Sequence, residues 1–82
     1  MDLVELTEYI IKSLVINKED VSVKEFPTDE ENTILIQVLI NEEDMGRVIG
    51  KGGKTANSIR NLVQVSSSLN DKRKVKINIE NF

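Results

Sequence analysis

The chain has 82 residues, 39% apolar and 30% charged, with a formal net charge of −3; this suits one small globular domain with a single core and is too little for two. It has no cysteine and no histidine, which excludes a disulfide scaffold, a thiolate nucleophile, the commonest zinc ligands and the commonest general base, so neither a cofactor nor a metal is expected. The opening Met1-Asp2-Leu3-Val4-Glu5 lacks a basic leader and no apolar run approaches the roughly 20 residues needed to span a bilayer, so a cytoplasmic, membrane-free protein is the expectation.

Asp2 and Glu5 have the spacing of a reciprocal helix-capping box. Leu3, Leu6, Ile10 and Leu14 follow at helical spacing, with Val4, Ile11 and Val15 widening the stripe. A helix over about residues 2–16 is predicted. Val21 and Val23 then alternate with polar neighbours, as in a half-buried strand that Pro27 stops. Thr28-Asp29-Glu30-Glu31-Asn32 is a turn by composition.

Thr33 to Ile40 is almost continuously β-branched or leucine and reads as the central strand, with Ile34, Ile36, Val38 and Ile40 on a covered face. Asn41 caps a short helix containing Met45, Val48 and Ile49, with Asp44 supporting its positive end. After the glycines a longer helix runs from about Lys54 to Leu69, with Ile59, Leu62, Val63, Ser66 and Leu69 expected on one apolar face. Val75, Ile77 and Ile79 alternate with Lys74, Lys76 and Asn78, a strand with a basic outer face. The fold class is therefore α+β in the order α-β-β-α-α-β, one domain over residues 1–82, with a layer of helices on a three-stranded sheet.

Charge divides between the halves. Residues 1–44 carry three lysines against twelve carboxylates, a balance of −9; residues 45–82 carry eight basic groups against Asp71 and Glu80, a balance of +6. Arg47, Lys51, Lys54 and Arg60 flank a glycine-rich loop, and no acid stands between Met45 and Leu69. Such asymmetry marks a candidate polyanion-binding face.

The loop, Gly50-Lys51-Gly52-Gly53, joins two helices. Glycines admit positive φ and close approach of a ligand to bare backbone, and the helix that follows turns its free N–H groups towards the loop. Lys51 and Lys54 add cationic charge, so the parts suit a phosphate. A phosphate-binding P-loop is excluded, because it needs a glycine five residues before Gly53, where Val48 stands, and it follows a strand. A dinucleotide fingerprint fails at Thr55, where its third glycine belongs.

Helix-Gly-x-x-Gly-helix, preceded by Val48-Ile49, resembles the signature of KH domains. The helix-first order resembles the type II arrangement, which implies a mixed sheet covered on one face by three helices. The stretch Met45-Gly46-Arg47-Val48-Ile49-Gly50-Lys51-Gly52-Gly53-Lys54 is similar to that of the small bacterial single-KH proteins of the KhpA type. The resemblance implies single-stranded RNA as ligand, its backbone clamped by Gly50, Lys51, Gly52 and Gly53. Arg47, Lys54 and Arg60 would flank the phosphates, and Val48, Ile49, Ile59 and Ile36 would line a base groove. KH domains commonly carry a large aliphatic residue three positions after the signature's second glycine; here that position is Ala56.

The resemblance further implies a homodimer, or a heterodimer with a larger KH protein of the KhpB type, acting on bacterial RNA as a chaperone or post-transcriptional regulator. Val65, off the main apolar face, is a candidate contact. The alternative is a KH-fold protein-interaction module with little RNA binding, favoured if apolar surface around Ala56 and Ile59 is exposed. Neither catalytic residues nor a small-molecule substrate are expected.

Overall fold

The computed structural model describes all 82 residues. Helix α1 (Leu3–Leu14) begins at the expected capping box: the Glu5 N–H donates to Asp2 Oδ1 at 2.7 Å and the Asp2 N–H to Glu5 Oε1 at 3.3 Å. Strand β1 (Ser22–Pro27) follows a short 3₁₀ turn, and β2 (Thr33–Ile40) returns antiparallel beside it. A second 3₁₀ turn over Glu42–Asp44, capped by the Asn41 side chain, leads into α2 (Met45–Ile49). Helix α3 (Lys54–Asn70) then crosses the sheet, and β3 (Lys74–Asn81) pairs parallel to β2.

The sheet order is β1-β2-β3, with β2 central, so the sheet is mixed and the arrangement is the type II KH order that the sequence led us to expect. Alternation decides what the strands bury. Ile34, Ile36, Val38 and Ile40 of β2, Val23 of β1, and Ile77 and Ile79 of β3 face the helices. They join Leu3, Ile11, Val15, Val48, Ala56, Ile59 and Val63 in one core. Each fully buried isoleucine or valine there stabilises the fold by about 1.5–3 kcal/mol.

Two helices are rotated from the faces read in the sequence. On α1 the innermost line is Leu3, Thr7 and Ile11, continued by Val15, with Leu6, Ile10 and Leu14 only partly buried beside it. Thr7 tolerates burial because its hydroxyl donates to the Leu3 carbonyl at 2.7 Å. On α3 the buried line is Ala56, Ile59, Val63 and Ser67, whereas Leu62 and Leu69 are 58% and 75% exposed. Ser67 holds its core position because its hydroxyl donates to the Arg73 carbonyl at 2.6 Å and anchors the turn into β3.

Candidate nucleic-acid interface

The glycine loop is built from three different backbone problems. Helix α2 stops at Gly50, whose N–H donates to the Gly46 carbonyl and whose φ of 75° and ψ of 175° lie in a region essentially reserved for glycine. A Cβ at Gly50 would sit 2.2 Å from Thr55 Oγ1, 2.7 Å from Thr55 Cβ and 2.9 Å from the Thr55 N. Close packing against the first turn of α3 thus requires this glycine. Gly52 (φ 63°, ψ 20°) and Gly53 (φ 79°, ψ 9°) are left-handed, but a Cβ on either would meet nothing within 4 Å. Gly50 therefore seats the loop, while Gly52 and Gly53 leave its outer surface bare.

Lys51 and Lys54 are exposed at this surface, and neither forms an ion pair. Arg60, one and a half turns into α3, donates from Nε to the Ile77 carbonyl at 3.3 Å and from a terminal nitrogen to Asn57 Oδ1 at 3.2 Å. It too meets no carboxylate. Arg47 is different: it lies 3.5 Å from Asp44 and 3.4 Å from the Glu43 carbonyl, so part of its charge is already answered. The free cations of the site are Lys51, Lys54 and Arg60.

Asp44 fixes the entry to α2. Its side chain is fully buried, and its two oxygens accept from the Ile16 and Asn17 backbone N–H groups and from Asn17 Nδ2, all at 3.0 Å. The carboxyl is held below its ordinary range chiefly by the Ile16 N–H; burial opposes this, and the Asn17 groups and Arg47 reinforce it. An unfolded aspartate titrates near pH 3.9, so between the two values the unfolded chain binds the extra proton and stability rises with pH. The contribution is complete above about pH 4–5 and is lost as pH falls through the lowered native value. The urea midpoint should therefore fall on acidification below about pH 4, and Asp44→Asn, less stable at neutral pH, should show a flatter acid limb. Identical acid limbs for the two proteins would show that Asp44 is not the group that titrates.

The expected base groove needs correction. Ile36 and Val48 are completely inaccessible and Ile59 is 2% exposed. Ile36 sits in the middle of β2 beneath the helices and cannot present surface to a base. Val48 and Ile59 pack the same core from α2 and α3, which leaves Ile49, half-buried at the end of α2, as the one accessible member of the set. Ala56 is likewise buried, at 2% exposure, so there is no apolar surface at Ala56 and Ile59 of the kind a purely protein-binding module would show.

Beside the loop, α3 packs along the free edge of β3 and forms a seam with it. The Lys74 and Phe82 N–H groups point to β2, donating to the Asn32 and Ile40 carbonyls. In a parallel ladder the odd-numbered residues of β3 then turn their N–H and C=O groups outward. Side chains of α3 meet that edge. Arg60 holds the Ile77 carbonyl, Gln64 accepts from the Val75 N–H at 2.9 Å, and Gln64 and Ser67 both donate to the Arg73 carbonyl. These bonds tie the seam together from Arg60 to Ser67, whereas between Arg60 and the loop no α3 side chain holds the Ile79 backbone. Neither Gln64 nor Thr55 carried a signal in the sequence, because each acts through a partner distant in the chain or through a contact of its backbone neighbourhood.

No group of three or more acidic, histidine or cysteine side chains is gathered to hold a metal ion, and no helix is long and apolar enough to cross a membrane. Residues 4–79 match the family model described as KhpA/KhpB, KH domain. Among curated proteins, the RNA-binding protein KhpA of Thermotoga maritima is 39% identical over 75 residues, covering 92% of this chain and 95% of the relative. That of Clostridium perfringens is 41% identical over 75 residues, with 92% and 96% coverage. Among solved structures, Aquifex aeolicus Era bound to GDP and AlF4⁻ superposes with a TM-score of 0.71 at 19% identity, over 98% of this chain and 30% of Era. Era in complex with MgGDPNP and nucleotides 1506–1542 of 16S ribosomal RNA gives a TM-score of 0.67 at 19% identity, over 96% of this chain and 29% of that one.

Proposed function

The chain belongs to the KhpA/KhpB KH-domain family, and from that premise we propose that it binds single-stranded RNA through the Gly50–Gly53 loop. The observation that carries the reading is the bare, cationic surface of that loop: Gly52 and Gly53 leave their backbone open, and Lys51 and Lys54 stand beside it without carboxylate partners. The RNA backbone lies across Gly50 to Gly53, where Lys51 and Lys54 neutralise phosphates. Arg60 takes a third from the β3 side, and Arg47 flanks the path with its residual charge. Bases turn towards the loop end of the seam between α3 and β3, where Ile49 supplies apolar surface and the outward backbone of β3 near Ile79 supplies hydrogen-bonding groups. The domain acts by binding and is not an enzyme. RNA-binding relatives, and a complex with ribosomal RNA in a protein of like fold, support this reading.

With three phosphates engaged, log affinity should fall with log salt at a slope near −2, from about −0.7 per phosphate on single strands. Fluorescence anisotropy of a short RNA titrated between 50 and 200 mM salt, roughly the range over which such dependence is resolved, measures it. A slope near zero would remove the phosphates from the binding site.

One such site binds weakly, and pairing two domains raises avidity by roughly 10² to 10⁴. Leu62, Val65 and Leu69 support pairing: they recur at i, i+3 and i+7 on the outer side of α3, each more than half exposed. We place the self-contact, or the contact with a second KH protein of the KhpB type, on this stripe. A cytoplasmic dimer acting as RNA chaperone or post-transcriptional regulator follows from the reading.

A further inference from the structure

The face of the sheet turned away from the helices is uncovered. Its side chains stand in rows set by the strand register: Lys24 of β1, Gln37 of β2 and Asn78 of β3 form one, and Phe26, Leu35 and Lys76 the next. Lys74, beside the buried Thr33, begins a third. Asn78 donates to Gln37 Oε1 at 3.0 Å and to Glu80 Oε1 at 2.7 Å, and Gln37 donates to Glu80 at 3.2 Å, which ties the Glu80 carboxylate into amide hydrogen bonds. Lys24 and Lys74 have no ion-pair partner. Phe26 is 44% exposed, although it lies within a strand.

We propose that this open face is a second contact surface for the same RNA strand, which leaves the loop end of the α3–β3 seam over the β3 edge and runs across Lys76 and Lys74 towards Lys24 and Phe26. The inference rests on the RNA-binding reading above. Two observations direct the path. Beyond Arg60 the seam between α3 and β3 is bonded shut by Gln64 and Ser67, so a strand longer than the loop can hold must leave it. On the α3 side the exposed residues beyond Arg60 are Asn61, Leu62, Val65, Ser68, Leu69 and Asn70, none of them cationic. On the β3 side the strand meets lysines after crossing a single edge, about 5 Å wide.

The surface suits a single strand. Phe26 offers a ring on which a base stacks irrespective of its identity, and the lysines track phosphates around it. Carboxylates stand against them: Glu80, held by the amides, Asp29 and Glu31 of the adjoining turn, and Glu30, which pairs with Lys76 across 47% and 53% exposed side chains and is held below its ordinary range by that lysine first and by Lys74 after it. So exposed a pair exchanges readily for a phosphate partner. Glu30 is thus a competitor that the RNA displaces.

Anisotropy titrations of oligouridylates of about 5 and 15 nucleotides, bracketing the four-nucleotide clamp, test this. Lys24→Ala/Lys74→Ala should leave the short RNA within about twofold of wild type, weaken the long one about tenfold, and reduce its salt slope by about 1.4, two phosphates' worth. Phe26→Ala should weaken the long RNA about fivefold or more, and Glu30→Gln should strengthen it about twofold. Lys12→Ala on α1, in the opposite layer, serves as the control for general charge and should change neither. Long-RNA affinity unchanged in both surface variants would overturn the inference while leaving the loop clamp standing. Equal losses on the two RNAs, or an equal loss in the control, would overturn it too. If Phe26→Ala instead converts a sedimenting dimer to monomer with RNA affinity intact, the face belongs to a second copy. Absence of binding to either RNA by wild type removes both the clamp and this surface.

Discussion

Replacing Lys51 and Gly52 together by aspartate should abolish RNA binding while leaving the fold intact. The Arg47, Lys51, Lys54 and Arg60 cluster falls from +4 to +1, and two carboxylates occupy the surface on which the phosphates would lie. The loss should reach about 100-fold in Kd, or about 2.7 kcal/mol. The fold survives for a geometric reason. Lys51 is exposed, and a Cβ at Gly52 meets nothing within 4 Å. Aspartate is among the residues that visit the left-handed conformation of Gly52, at a cost of about 1 kcal/mol. Anisotropy on a short RNA, with circular dichroism of both proteins, separates binding from folding. Undiminished binding by the folded variant would relocate the RNA site away from the loop.

Gly50→Ala, a single methyl two residues away, should do the opposite and unsettle the fold itself. Its backbone lies where only glycine is at ease, at a cost of about 1–3 kcal/mol for other residues, and the methyl would press on three atoms of Thr55. Together these should cost about 3 kcal/mol. For a domain of this size that lowers the melting temperature by roughly 12–24 °C. Thr55→Ala removes the hydroxyl and methyl but leaves its Cβ and backbone N in place, so it should recover only part of the loss. Gly53→Ala, with open space around its Cβ, should cost only about 1 kcal/mol. A melting temperature that Gly50→Ala leaves within a few degrees of wild type would refute the packing account.

The contrast marks what could be read from the residues alone. The order of elements was legible because its signals are local: the Asp2–Glu5 cap, the alternation in β3, the unbroken apolar run of β2, and the glycines between two helices. The glycine signature located the candidate site for the same reason. Which face of α3 goes inward was not legible, since Leu62 and Leu69 are more apolar than Ser67. The serine wins because its hydroxyl finds the Arg73 carbonyl, a partner the strand supplies only after folding. The depth of Ile36 was not legible either, since alternation places it on the covered face without saying how deep it lies, and the groove role that the KH resemblance implies for it needs exposed surface. Asp44 was legible as a helix-end acid, but its burial under Ile16 and Asn17 depends on residues 27 and 28 positions away.

The register of the sheet also governs the chain's history during synthesis. β2, Thr33-Ile34-Leu35-Ile36-Gln37-Val38-Leu39-Ile40, has the apolar, uncharged, β-branched character of an aggregation-prone segment. Its antiparallel neighbour β1 precedes it across a short turn and is present as soon as β2 is made. Its other neighbour is not: Thr33 pairs with Lys74, so that edge stays unsatisfied until nearly the whole of this sequence has left the ribosome. During that interval a second nascent chain can take the place of β3. The acids that flank β2, Asp29-Glu30-Glu31 before it and Glu42-Glu43-Asp44 after it, are made before β3 and act as charged gatekeepers around the most vulnerable strand of the protein.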